Sequence, residues 1–179
     1  TFHEKATRVP LFFHASEKCR QKYSLDLTPA VIEHNVSLTD LLPTFVHMTV
    51  GDAWKEALPS YVDGRSLLAS LTGSPLKCES TKDNIIYCEY TSEMIPGGWF
   101  MVKKDSLKLI YSDQPPLLFD LTKDPHEMVN LARHENYKEV LAEMLKLAQA
   151  RWPDIKALTE RILKSQRDRR MIHAAMLKG

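Results

Sequence analysis

The apolar positions change their period several times along the chain, and each change marks an element. Val9 to Phe13 is a short apolar run and predicts a buried strand. Ser16 to Asn35 is polar and mixed, with Lys18, Lys22, Asp26 and Glu33 around the turn former Pro29, and predicts a surface loop. From Val36 the spacing becomes helical. Leu41, Leu42, Phe45, Val46 and Met48 follow Ser37 and Asp40, which have capping-box spacing, so a packing helix is expected with Pro43 in an early turn or at a kink. Asp63-Gly64 predicts a turn, and Ser66 the cap of a short helix through Leu67, Leu68 and Leu71 that Gly73 ends. Glu79 to Asn84 reads as a polar linker.

Beyond the linker the pattern is that of a sheet. Ile85 to Tyr90, Trp99 to Lys103, Leu107 to Ser112 and Leu117 to Leu121 predict strands, with Lys104-Asp105-Ser106 as a connecting turn. Just after the last strand, Asp124, Pro125 and Glu127 stand at the spacing of an N-cap, a first helical residue and the partner in a capping box, which predicts a sharp turn into a helix. Tyr137, Leu141, Met144, Leu145, Ala148 and Trp152 then share one helical face up to Pro153. A second helix is expected from about Asp154, with Ile155, Leu158 and Ile162 inward. Lys164, Arg167, Asp168, Arg169 and Arg170 turn to water or a partner. The class is α/β, with a four-stranded antiparallel sheet packed on long C-terminal helices.

Charge changes little in this picture. The 179 residues carry a formal net charge of +1, too balanced for nucleic acid or an anionic membrane to be the main partner. No apolar run reaches membrane-spanning length, and the first residues lack the basic start and cleavage site of a signal peptide. Cys19, Cys78 and Cys88 are odd in number and have no CxxC spacing, which fits reduced thiols and a cytoplasmic location. None of the seven histidines has metal-ligand spacing, so none is assigned to metal. Trp99, beside Gly97-Gly98, reads as either core or pocket lining.

The order LFDL, DP, E, NLA across Leu118 to Ala132 resembles the signature near the C-terminus of type I sulfatases of the alkaline-phosphatase-like superfamily. Glu4, Arg8, Val9, Pro10 and Leu11 resemble the family's K-x-T-x-x-E stretch and R-V-P-L strand, with its sulfate-contacting lysine falling before Thr1. On this resemblance residues 1–78 are the end of the large α/β domain and 79–179 the C-terminal subdomain. No catalytic residue is then expected within the chain, whose Glu4 and Arg8 read as a buried structural pair. Formylglycine and calcium are implied for the complete enzyme, held upstream of Thr1, because no cysteine here has the C-x-P/S-x-R context. The chain alone is expected to be inactive.

The likeness narrows to choline sulfatases through VSLTDLLPTFV, DGRSLL, the Cys88-Glu89-Tyr90 strand and the helix Ser165 to Ala175 with its arginines. Cys88 replaces the family's usual glycine, and Asp168 interrupts the arginine run. By residue type alone, Glu89 is either a solvent-facing or lysine-paired carboxylate, or half of a cation site with Tyr90. The resemblance implies that Glu89 approaches a choline head group, with Glu89 and Tyr90 as the substrate-binding residues. It further implies choline O-sulfate as substrate, the N-terminal part of the enzyme as partner and a homo-oligomer. An arylsulfatase or phosphonate monoester hydrolase relative, and a noncatalytic interaction module, are the alternatives.

Overall fold

The computed structural model describes residues 2–25, 31, 33–71, 84–91 and 97–177. Two compact units form, Thr1–Arg8 with Tyr87–Gly179 and Val9–Ile86. The expected boundary between residues 78 and 79, the Gly73 stop, Cys78 and most of the linker lie outside the described residues.

The sheet has four strands in the order β1-β2-β3-β4: β1 Ile85–Tyr90, β2 Trp99–Lys104, β3 Leu107–Tyr111 and β4 Leu117–Asp120. The architecture is the expected mixed α/β one, a four-stranded antiparallel sheet with C-terminal helices. Met101 pairs with Ile110 and Val102 with Leu109 across β2 and β3, and Leu109 with Leu118 across β3 and β4. Directly opposed residues share a face, so Phe100, Val102, Leu109 and Leu118 line one side. Met101, Ile110 and Phe119 line the other, with Lys103 and Lys108 among them. Both sides are buried, and each of the large apolar side chains contributes roughly 1.5–3 kcal/mol of transfer free energy.

The helix α5, Lys138–Arg151, packs on β2 and β3 through the buried Met144 and Ala148. Trp152 and Pro153 break the chain, and Asp154 starts α6, Ile155–Met176, by accepting a hydrogen bond from the Ala157 N–H at 2.8 Å. Both helices therefore lie where the periodicity puts them. A Cβ on Gly98 would fall 2.5 Å from the ring of the fully buried Phe100, so only glycine lets the chain entering β2 lie this close to that ring.

In the other unit, the Ser37–Asp40 capping box forms as expected and opens a 3-10 turn, Leu38–Asp40. Before it lie α1, Glu4–Thr7, which belongs to the first unit, and α2, Glu17–Tyr23. After it come α3, Leu41–Val50, and α4, Leu68–Leu71. Asp40 is buried and accepts the N–H groups of Ser37 and Arg65 at 2.8 and 2.9 Å. Thr44 accepts the Leu67 N–H at 2.8 Å. These bonds turn Asp40, just before α3, and Thr44 and His47 within it toward residues 65–67, at the i, i+4, i+7 spacing of one face. The expected apolar face is thus displaced: Pro43 and Thr44 are buried, whereas Leu42 and Phe45 are exposed.

Two expectations fail here. The supposed loop from Ser16 contains α2, because Ser16 accepts the Cys19 N–H and Ser24, at φ 51°, closes the helix in the left-handed conformation. Val9 to Phe13 is not a strand. No described strand lies beside it to accept its backbone hydrogen bonds, and Val9 and Phe12 stand exposed.

Candidate functional site

The run Leu118 to Ala132 ties the edge of the sheet to itself rather than starting a helix. Asn130 Oδ1 accepts from the N–H groups of Leu118 and Ala132 at 2.9 and 3.0 Å, and the Leu131 N–H donates to the Leu118 carbonyl. The outer edge of β4 is thereby satisfied by its own following loop. Asp120 accepts from the Thr122 N–H and the Tyr137 hydroxyl. The capped helix expected at Asp124 does not form. Asp124 Oδ2 accepts from the Val129 N–H at 2.8 Å, two residues beyond the capping position, and Glu127 adopts φ 55°, which no right-handed helix contains.

Glu127 takes that conformation because its carboxylate turns inward. Lys108, fully buried on β3, places Nζ 2.8 Å from Glu127 Oε1, 2.6 Å from Glu4 Oε1 and 2.9 Å from the Phe2 carbonyl oxygen. The Glu4 N–H donates to Glu127 Oε2 at 2.6 Å. His3 Nδ1 lies 3.4 Å from that oxygen, and Lys103 Nζ lies 3.4 Å from Glu4 Oε2. A lysine and a glutamate, opposite in sign and both almost without solvent contact, thus clamp the first residues of the chain onto the sheet. The expected Glu4–Arg8 pair is not formed, since Glu4 turns to the two lysines and Arg8 is exposed.

Burial alone would raise the Glu4 carboxyl, but the hydrogen bond and charge of Lys108, followed by Lys103, outweigh it and hold Glu4 below its ordinary 4.5. A carboxyl lowered in the folded state stabilises the fold above its unfolded value, and that contribution is lost as pH falls through the folded value. Urea midpoints taken from pH 6 down to pH 3 should therefore fall below about pH 4.5. Glu4→Gln should flatten part of that fall. An unchanged profile in the variant would show that Glu4 is not held by the lysines.

Glu89 and Tyr90 both lie on β1, but successive strand residues point to opposite faces, so they do not form one pair. Glu89 shares its face with Tyr87 and the buried Trp152, whose Nε1–H donates to Glu89 Oε1 at 2.8 Å. The Trp152 ring meets Phe100 at 4.7 Å between centroids and Tyr87 edge-on at 5.7 Å. The Arg151 guanidinium lies 5.9 Å from the Tyr87 centroid. An exposed carboxylate beside aromatic rings therefore faces solvent here, on a surface that already holds a cation over a ring. Tyr90 is exposed on the opposite side of the strand, and Trp99 is half-buried.

Cys88 shares the Tyr90 side. Burial raises its thiol, with Lys108 pulling the other way, so it is held protonated rather than as a nucleophilic thiolate. Among the described residues no group of three or more His, Cys, Asp or Glu is placed to hold a metal ion. No described helix is long and apolar enough to cross a membrane.

Sheet, signature loop and helices together define the C-terminal part of a sulfatase with an alkaline-phosphatase-like fold. Residues 1–152 match the model of the N-sulphoglucosamine sulphohydrolase C-terminal family, and the chain belongs to that family. It is 26% identical, over 148 residues, to an arylsulfatase of Clostridium perfringens (strain 13 / Type A), covering 81% of this chain and 27% of that protein. A solved 2-O GAG sulfatase is 29% identical with a TM-score of 0.50, over 64% of this chain and 25% of its own. The phosphonate monoester hydrolase of Agrobacterium radiobacter, at 20% identity and a TM-score of 0.51 over 66% of this chain and 25% of its own, shares the fold. The chain spans about a quarter of the length of the relatives it matches.

Proposed function

We propose that this chain is the C-terminal part of a sulfuric ester hydrolase that, when complete, cleaves choline O-sulfate to choline and sulfate. The observation that carries this reading is the exposed Glu89 carboxylate beside Trp152 and Tyr87. A quaternary ammonium has no N–H to donate, so a carboxylate at Coulomb range and aromatic faces are the groups that recognise it. In this reading Glu89 is the binding residue that matters, and Tyr90 contributes from the other side of β1 only if the substrate reaches around the strand end. Calcium and formylglycine would be held by the part of the enzyme that precedes Thr1, and the N-terminal part would be the main partner of this chain. A cytoplasmic homo-oligomer belongs to the same proposal.

The test is Glu89→Gln in the complete protein. Glutamine keeps an oxygen for the Trp152 N–H and removes only the charge. We expect kcat/KM for choline O-sulfate to fall roughly tenfold or more, the equivalent of about 1.4 kcal/mol, while 4-nitrophenyl sulfate hydrolysis is unchanged. Equal rates of the two proteins on choline O-sulfate would sink the choline reading.

A second reading is favoured by the family match: the complete enzyme acts on a sulfated amino sugar. Turnover of glucosamine sulfates with no turnover of choline O-sulfate would decide for it.

A further inference from the structure

Residues 2–4 are gripped by charge at their main chain. Lys108 Nζ donates to the Phe2 carbonyl oxygen at 2.9 Å and lies 2.6 Å from Glu4 Oε1, while Glu127 Oε2 accepts from the Glu4 N–H at 2.6 Å. Lys103, directly opposite Lys108 on β2, adds a second cation 3.4 Å from Glu4 Oε2. Phe2 is itself buried, and the His3 ring lies 5.9 Å from that of Phe119. One backbone acceptor and one backbone donor of the entering segment are therefore fixed together, which sets its direction as well as its place. Stability alone gives no reason for this construction, because well-packed apolar residues in place of a buried ion pair are often neutral or stabilising. What charged hydrogen bonds add is geometric specificity. Glu127 even adopts φ 55° to supply one of them.

We infer, on the reading of this chain as the C-terminal part of a sulfuric ester hydrolase and whatever its substrate, that Lys108 and Glu127 are positioning residues for the reaction. They touch no substrate and act through the main chain of residues 2–4. In that reading the backbone runs back from Phe2 into the catalytic part, and each residue further back adds at most about 3.6 Å. The residues nearest the joint are thus tied to the sheet. A shift of about 1 Å at a reacting group can cost about 100-fold in rate, so a joint free to slide would misplace the groups that the preceding part brings to the ester.

The experiment measures kcat and KM of the complete protein on whichever of choline O-sulfate, glucosamine sulfates and 4-nitrophenyl sulfate the wild type hydrolyses. The double variant Lys108→Met, Glu127→Met removes both buried charges, so its urea midpoint should lie near that of the wild type. Its kcat should nevertheless fall at least about tenfold with KM within about twofold, the signature of a loss felt in the transition state. Glu127→Gln keeps an oxygen for the Glu4 N–H and should lose less kcat than the double variant; it carries the same test if the double variant does not fold. Met144→Ala is the control. It opens a cavity under α5, which covers the opposite face of the sheet through Glu143 on Lys104 and Trp152 on Phe100, and should lower the urea midpoint while keeping the wild-type kcat. A wild-type kcat in the double variant and in Glu127→Gln, or kcat falling in step with the urea midpoint across all three variants, would overturn the inference and leave the hydrolase reading standing. A wild-type protein that hydrolyses none of the three substrates would overturn that reading, and the inference with it.

Discussion

Lys108→Met is expected to destabilise the chain by about 3–5 kcal/mol in urea unfolding, among the largest losses from any single substitution outside the apolar core. The ammonium is fully buried and neutralises Glu127, whose side chain is only 2% exposed, and Glu4 at the same time. Methionine fills most of the volume but leaves the Glu127 carboxylate buried without its cation and the Phe2 carbonyl without its donor. Glu127 is also held at φ 55°, a conformation that costs roughly 1–2 kcal/mol for a residue with a Cβ and persists because the ion pair demands it. The double variant Lys108→Met, Glu127→Met should therefore recover a large part of the loss, since it removes both charges and leaves no reason for the inward turn. A single-variant loss below about 1 kcal/mol would mean that water reaches the cluster and screens it.

That cluster lies beyond what the sequence makes legible. Strands β1 to β4 and helices α5 and α6 are legible because their signals are local: short runs of β-branched, aromatic and other apolar residues, Pro153 as a stop, Asp154 as a cap. Lys108 carries a signal too, a charge between Leu107 and Leu109 in a strand whose neighbours are apolar on both faces, yet it reads equally well as a solvated edge residue until β4 is known to cover it. Glu4 lies 104 positions from Lys108 and Glu127 lies 123 from Glu4, so no local pattern pairs them. The Asp124-Pro125-Glu127 spacing misleads for the same reason. A capping box requires Glu127 to look back along its own backbone, and a buried lysine a long way off in sequence is the stronger partner. At the candidate site, Glu89 is visible as a charged residue at a strand end, but its donor Trp152 lies 63 positions away at the end of α5. Tyr90 looks like its companion only while adjacency in sequence stands for adjacency in space, which the pleat of a strand forbids.

Trp152→Ala should cost about 3–5 kcal/mol, through a mechanism distinct from that of Lys108→Met. The indole is 5% exposed, packs against Phe100 at 4.7 Å and meets the Tyr87 edge at 5.7 Å, so its removal opens a cavity between the end of α5 and the sheet. Its backbone N–H also closes α5 by donating to the Ala148 carbonyl at 2.8 Å, a bond that alanine keeps. The loss is therefore one of side-chain packing and not of helix termination. Trp152→Phe separates packing from the indole hydrogen bond, because phenylalanine restores most of the aromatic contact but cannot donate to Glu89. Glu89 is exposed, so water replaces the lost donor and the substitution should cost only about 1 kcal/mol. Urea midpoints for the two variants should thus differ widely. If phenylalanine were as damaging as alanine, the hydrogen bond to Glu89 would outweigh the packing, and Glu89 would be a structural anchor of β1 rather than a carboxylate available to a cationic substrate.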